Sequence, residues 1–139
     1  MSKISIFCFG FGQVAEGFIN QLLQETKEFD LSSTSRQETH QIELNNLKIT
    51  SYHFTNEKFD ISIMKKLEEA NYILISIPPI EGKDIVAKYF DKNLQSITNC
   101  KWITYLSATS VYGDHKGEWV NENSTTKPTS PNGSNRLAA

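Results

Sequence analysis

A parallel β-sheet with helices on both faces is the fold class this sequence predicts, and three observations predict it. Apolar, β-prone runs recur along the chain, and amphipathic stretches at helical spacing separate them. The first join between the two, Gly10-Phe11-Gly12, turns a strand into a helix through glycine. The 139 residues amount to about one domain, enough for a core without disulfides or metal.

The opening run, Ile4 to Phe9, is nearly continuous in apolar residues, as strands covered on both faces are. It reaches glycine after about six residues, at or below the ~7 to 15 of a leader's apolar region, and no small-residue cleavage site follows. It is therefore expected to be a strand. Val14, Ala15, Phe18, Ile19, Leu22 and Leu23 recur at helical spacing and predict an amphipathic helix. "FDLSSTSR" (29–36) reads as the second strand, polar residues 37–46 as a short, weakly patterned helix, and the alternating "LKITSYHF" (47–54) as the third strand. Asp60 can cap a helix carrying Ile61, Met64 and Leu67. "NYILISI" (71–77) is a fourth strand, stopped by Pro78 and Pro79. Ile85, Val86, Tyr89, Phe90, Leu94 and Ile97 mark another helix, and "KWITYL" (101–106) the fifth strand. Five strands alternating with four helices predict a doubly wound parallel sheet in the order 3-2-1-4-5. From Gly113 to Asn135 no period appears, which predicts a long loop, and "RLAA" begins an apolar helix at Arg136.

A net charge of −2 leaves no electrostatic footprint for nucleic acid or an anionic membrane surface. No apolar stretch approaches the ~20 residues of a membrane span. The two cysteines, Cys8 and Cys100, form no Cys-x-x-Cys pair, and a reduced, buried Cys8 fits a cytoplasmic protein. Asp114, His115 and Glu118 are neighbours in the loop but lack a ligand spacing, so no metal site is expected.

Gly10-x-Gly12-x-x-Ala15 follows a strand and opens a helix, the context that gives a bare glycine pattern its weight and makes the sheet Rossmann-type. Gly10 permits the tight turn, Gly12 lets a pyrophosphate reach the backbone, and Ala15 lets the helix lie close to the strand; the helix N-terminus, with Gln13 and Val14, supplies N–H donors. A carboxylate at the end of the second strand would accept from a ribose 2′-hydroxyl, whereas a cation would meet a 2′-phosphate. Thr34, Ser35 and Arg36 stand there, while Asp30 falls at the strand's beginning. NADP is favoured over NAD.

The stretch "YLSATSVYGDHKGEWVNENSTTKPTSPNGSNRLAA" resembles the short-chain dehydrogenase/reductase superfamily in its extended and atypical branches, and is similar to NAD-dependent epimerase/dehydratases. The resemblance rests on Ser-x-x-x-Val111-Tyr112-Gly113, a loop with a glutamate, a proline-containing segment and "RLAA", and it covers the whole chain. It implies a dinucleotide-binding core over residues 1–112 and, over 113–139, an active-site loop with the start of a following helix, the remainder of the family's fold being cut short. It also implies a cofactor site made of Gly10, Gly12, Gln13, Val14, Ala15, Thr34, Ser35, Arg36, Ile77, Pro78, Ser107 and Arg136. The family's catalytic serine, tyrosine and lysine positions read Ala108, Asn132 and Arg136 in this chain.

Those replacements have chemical consequences. Hydride transfer to a carbonyl needs a proton donor; a phenol near pKa 10, lowered by an ammonium, can serve, whereas an asparagine amide cannot. Arginine keeps a positive charge and could still bind a ribose hydroxyl, but it does not deprotonate. Ser107, Thr109 and Tyr112 are possible substitutes, though a hydroxyl displaced by one residue along a strand faces the other way. Three functions follow: a dinucleotide-binding protein without redox turnover, with possible self-association through the open edge of the fifth strand; an NAD(P)-dependent oxidoreductase or epimerase acting on a sugar-nucleotide-like substrate through non-standard residues; or a shortened remnant with no function of its own.

Overall fold

The computed structural model describes residues 3–26 and 28–139. In chain order they form β1 (Ile4–Phe9), α1 (Gln13–Glu25), β2 (Phe29–Ser35), β3 (His40–Leu44), β4 (Leu47–His53), α2 (Ser62–Glu69), β5 (Tyr72–Ile75), α3 (Ile85–Ser96), β6 (Trp102–Tyr105), a 3-10 turn (Thr109–Tyr112) and α4 (Pro131–Ala138). The strands make one six-stranded sheet ordered β3-β4-β2-β1-β5-β6, parallel throughout except where β3 runs against β4.

Apart from β3 this is the predicted 3-2-1-4-5 arrangement, so the five-strand count is corrected to six. Residues 40–44, within the stretch expected to be helical, are a strand because they alternate: Ile42 and Leu44 are half-buried against the core and His40, Gln41 and Glu43 are more polar. Asn45 and Asn46 both take positive φ (49° and 67°), the two-residue turn that closes a tight hairpin and sets Leu44 opposite Leu47.

Two compact units divide the chain. The first runs to Ile77 and resumes at Tyr89–Leu106; the second comprises Pro78–Lys88 and Ser107–Ala139. In the first, alternate residues of β1 serve opposite sheet faces. Ile6 and Cys8 meet Ala15 and Ile19 of α1, with Phe29, Leu31, Ile49 and Leu74 from neighbouring strands. Burial pushes the Cys8 thiol up to about 12, so it is an inert packing group. Phe7 and Phe9 turn to the other face, where Phe9 lies 5.6 Å, ring centre to ring centre, from both Phe54 and Phe90. Each such fully buried side chain contributes ~1.5–3 kcal/mol, which fixes β1 at the sheet's centre and holds its carboxyl end in place.

In α2 the buried residues are Ile63 and Leu67, while Ile61, expected on the inner face, is 68% exposed. Asp60 does serve this helix start, its Oδ1 accepting from the Ser62 N–H at 2.9 Å, although no side chain caps at Ile61.

In the second unit α4 begins at Pro131, not at Arg136. Ser130 Oγ accepts from the Gly133 N–H at 3.1 Å, and proline follows at the first helical position, where its missing N–H costs nothing. No helix among the described residues is long and apolar enough to cross a membrane.

Candidate functional site

Strands β1, β2, β4 and β5 run parallel, so their carboxyl ends share one edge of the sheet, and the chain leaves β1 there through Gly10. Gly10 has φ +82°, a conformation that side chains resist, and a Cβ on it would lie 3.0 Å from Ser76 Oγ. Its N–H donates to Thr34 Oγ1 at 2.9 Å, which ties the turn to β2. Gly12 is the N-cap of α1, and a Cβ on it would meet nothing within 4 Å. The first helical bond is Glu16 N–H to Gly12 O at 3.0 Å, and no side chain caps the helix. The N–H groups of Gln13, Val14 and Ala15 precede that bond. Val14 is 60% exposed, whereas Ala15 is fully buried against β1. The turn therefore offers uncapped donors, the positive end of a helix and open space beside Gly12, a fit to an anionic group such as a pyrophosphate.

Thr34 is buried, Ser35 half-buried and Arg36 exposed in the bend after β2. Arg36 has no hydrogen-bond or ion-pair partner among the described residues, and Glu38, two residues on, pairs with Lys58 at 3.2 Å. Asp30 sits second in β2 and pairs with Lys3 at 2.7 Å, at the opposite end of the strand. Ile77 lies beside the first glycine, its Cγ1 3.3 Å from where a Gly10 Cβ would stand.

The second unit holds Pro78, Ser107 and Arg136. A cavity of about 370 Å³ there is lined by Pro78, Pro79, Ala108, Ser110, Ser130, Asn132, Asn135 and Arg136. It brings together the three positions that the sequence singled out as substituted, Ala108, Asn132 and Arg136. Its polar lining consists of hydroxyls, amides and one guanidinium, groups that bind by hydrogen bonding and, Arg136 apart, carry no charge at neutral pH. Ser107 and Thr109 are exposed and absent from its wall; Tyr112 is half-buried, and its carbonyl accepts from His115 Nε2 at 3.0 Å. His115 and Asp114 shape the loop, the latter accepting from the Lys116 N–H at 2.7 Å.

Ser110, Ser130, Asn135 and Gly133 belong to this site and were not singled out by sequence. Gly133 is buried in α4, where a Cβ would lie 2.3 Å from the Ser110 carbonyl oxygen, so only glycine lets α4 approach the 3-10 turn this closely. The signal was present: Ser130-Pro131 is a capping residue followed by a first-turn proline, and it announces a helix that would carry Asn132, Asn135 and Arg136 together.

No family model matches the chain, and no curated protein matches it either. Solved structures do. A conserved protein of unknown function from Silicibacter pomeroyi DSS matches over 97% of this chain and 45% of its own, with 25% identity and a TM-score of 0.74. UDP-glucuronic acid 4-epimerase from Bacillus cereus, in complex with NAD, matches over 97% and 49% with 18% identity and a TM-score of 0.71. UDP-N-acetylglucosamine 4-epimerase from Methanobrevibacter ruminantium M1 matches over 98% and 47% with 15% identity and a TM-score of 0.68. The chain thus spans about half the length of these structures. Along nearly all its length it has the fold of the amino-terminal half of the NAD-dependent epimerase/dehydratases, a Rossmann-like sheet with a glycine turn at the end of its first strand.

Proposed function

We propose that this chain binds a dinucleotide, NADP(H) in preference to NAD(H), and does not carry out the redox step of the enzymes it resembles. The observation that carries the reading is the β1–α1 turn: a positive-φ Gly10 locked to Thr34, an open Gly12 and an uncapped helix N-terminus behind it. Gln13, Val14 and Ala15 would hold the pyrophosphate through their backbone N–H groups. Ser35 and Arg36 would take the adenosine ribose, with the Arg36 guanidinium on a 2′-phosphate, while the buried Thr34 holds the Gly10 turn. Ile77, beside Gly10, would complete the site within the first unit. When bound, the nicotinamide supplies a hydride acceptor or donor, but Ala108 and Asn132 offer no group able to move a proton at neutral pH. Two solved structures of the same fold support a dinucleotide as ligand, since the UDP-glucuronic acid 4-epimerase was solved with NAD and MoeE5 with UDP-glucose and NAD. The guanidinium at the end of β2 supports the phosphorylated form.

The reading extends to self-association. Strand β6 is the sheet's edge, and Trp102 on it is 67% exposed, a combination that favours pairing with a second copy.

Titration of NADPH and NADH against wild type and Arg36→Ala tests the cofactor assignment. The charge-assisted contact should be worth ~1.5–3 kcal/mol, about tenfold or more in affinity. Equal affinities in wild type, or an alanine variant that keeps its NADPH affinity, would reject the NADP assignment. Steady cofactor turnover with sugar nucleotides, ketones or alcohols would reject the non-catalytic one.

A further inference from the structure

Three hydrogen bonds anchor the segment Arg36–Thr39 to the end of β4 and the start of α2. The His53 ring meets the Gln37 carbonyl oxygen through Nδ1 at 2.9 Å. The His53 backbone N–H donates to Thr39 Oγ1 at 3.0 Å. The Thr39 hydroxyl in turn donates to Asp60 Oδ2 at 2.6 Å. A carbonyl oxygen only accepts, so Nδ1 carries the proton of this ring. Its Nε2 is buried with no hydrogen-bond partner, and His53 as a whole is 8% exposed. All four residues of the segment, Arg36, Gln37, Glu38 and Thr39, are exposed and polar, with no apolar packing of their own to hold them.

A histidine buried with one nitrogen unsatisfied is a costly way to fill a core position, so its bond to Gln37 needs a purpose. The ladder supplies one. Ser35, the last residue of β2, pairs with His53, the last of β4, and Arg36 is the next residue along. His53 therefore stands one ladder position from the residue whose guanidinium is assigned to the 2′-phosphate, and its ring holds the backbone carbonyl just beyond that residue.

We propose that His53, with Thr39, is a positioning residue that holds the Arg36–Thr39 segment ordered before ligand arrives and thereby sets selectivity for a ribose bearing a 2′-phosphate. The inference rests on the NADP reading above. Its physical basis is entropic: a segment already fixed does not have to be ordered when the phosphate binds.

The test measures NADPH and NADH affinities, and amide hydrogen exchange, in wild type, Arg36→Ala, His53→Ala, His53→Asn and Thr39→Val. His53→Ala and Thr39→Val should each lose about tenfold in NADPH affinity, with NADH affinity changed less than about twofold. Amides of Gln37–Thr39 should exchange faster while those of Phe7–Phe9 do not. His53→Asn, whose amide nitrogen can replace Nδ1 as donor, should recover most of the NADPH affinity. Should His53→Ala fail to fold, Thr39→Val, at an exposed position, decides the matter alone. If Arg36→Ala abolishes the preference but folded His53→Ala and Thr39→Val keep it, the inference is wrong and the NADP reading stands. If wild type shows no preference, the NADP reading is wrong and the inference falls with it.

Discussion

Gly10 and Gly12 are two residues apart in one turn yet have opposite roles, and substituting each separates folding from binding. At Gly10 alanine must adopt φ +82°, at a cost of ~1–2 kcal/mol. Its Cβ also lies 3.0 Å from Ser76 Oγ, which donates to the Phe9 carbonyl at 2.9 Å. Moving that hydroxyl forfeits a hydrogen bond worth ~0.5–1.5 kcal/mol. Gly10→Ala should therefore destabilise by roughly 1.5–3.5 kcal/mol. At about 2–8 °C per kcal/mol, that is a fall in Tm of several degrees or more. Gly12 has φ −92° and ψ −165°, open to any residue, with nothing within 4 Å of its Cβ position. Serine there can accept from the first-turn N–H groups, so Gly12→Ser should hold or raise stability by a few tenths of a kcal/mol. It should nonetheless lose NADPH affinity at least about tenfold, because its side chain occupies the pyrophosphate's path to the backbone. Circular dichroism is the assay for stability, since Trp102 and Trp119 are 67% and 101% exposed and report folding poorly. Isothermal titration measures binding. A Gly12→Ser protein that folds and binds NADPH like wild type would refute the cradle.

The remaining predictions concern other parts of the chain. Gly133→Ala drives a methyl to 2.3 Å from the Ser110 carbonyl oxygen, which no rotamer can avoid, and should cost about 1–3 kcal/mol or displace α4; an unchanged thermal transition would contradict the close approach. The Thr39 hydroxyl, and after it the Ser62 N–H, hold the Asp60 carboxyl below the usual carboxylate range. A depressed folded pKa means that its contribution is complete above about pH 4 and is lost as pH falls through the folded value. Asp60→Asn should thus lower the Tm at pH 7, with the gap from wild type closing toward pH 3; a gap that widens in acid would overturn the assignment. Trp102→Lys should leave the monomer's stability within about 0.5 kcal/mol while weakening self-association in sedimentation equilibrium, and an unaltered oligomer would rule out the β6 edge as its seam.

What could be read from the sequence was whatever period and glycine chemistry dictate locally. β1 and α1 were legible because six apolar-rich residues, two spaced glycines and a 3.6-residue repeat all point to the same join. β3, a five-residue strand with three polar members, looks like a weak helix until Asn45-Asn46 is recognised as a hairpin turn between Ile42, Leu44 and Leu47, Ile49. Low apolar content over 131–135 hides the start of α4, although Ser130-Pro131 carries the capping signal. Spacing alone puts Ile61 on the inner face; the register of α2 buries Ile63 instead. The cavity around Ala108, Asn132 and Arg136 and the bracing of residues 36–39 by His53 depend on chain segments brought together by the fold, and no local pattern encodes them.

A dinucleotide seated on the amino terminus of α1 would register in amide hydrogen exchange compared with and without saturating NADPH. Protection should concentrate at Gly12, Gln13, Val14 and Ala15, whose donors no side chain caps, together with the Arg36–Thr39 segment. NADPH binding that leaves exchange at Gly12–Ala15 unchanged would contradict this seating of the dinucleotide.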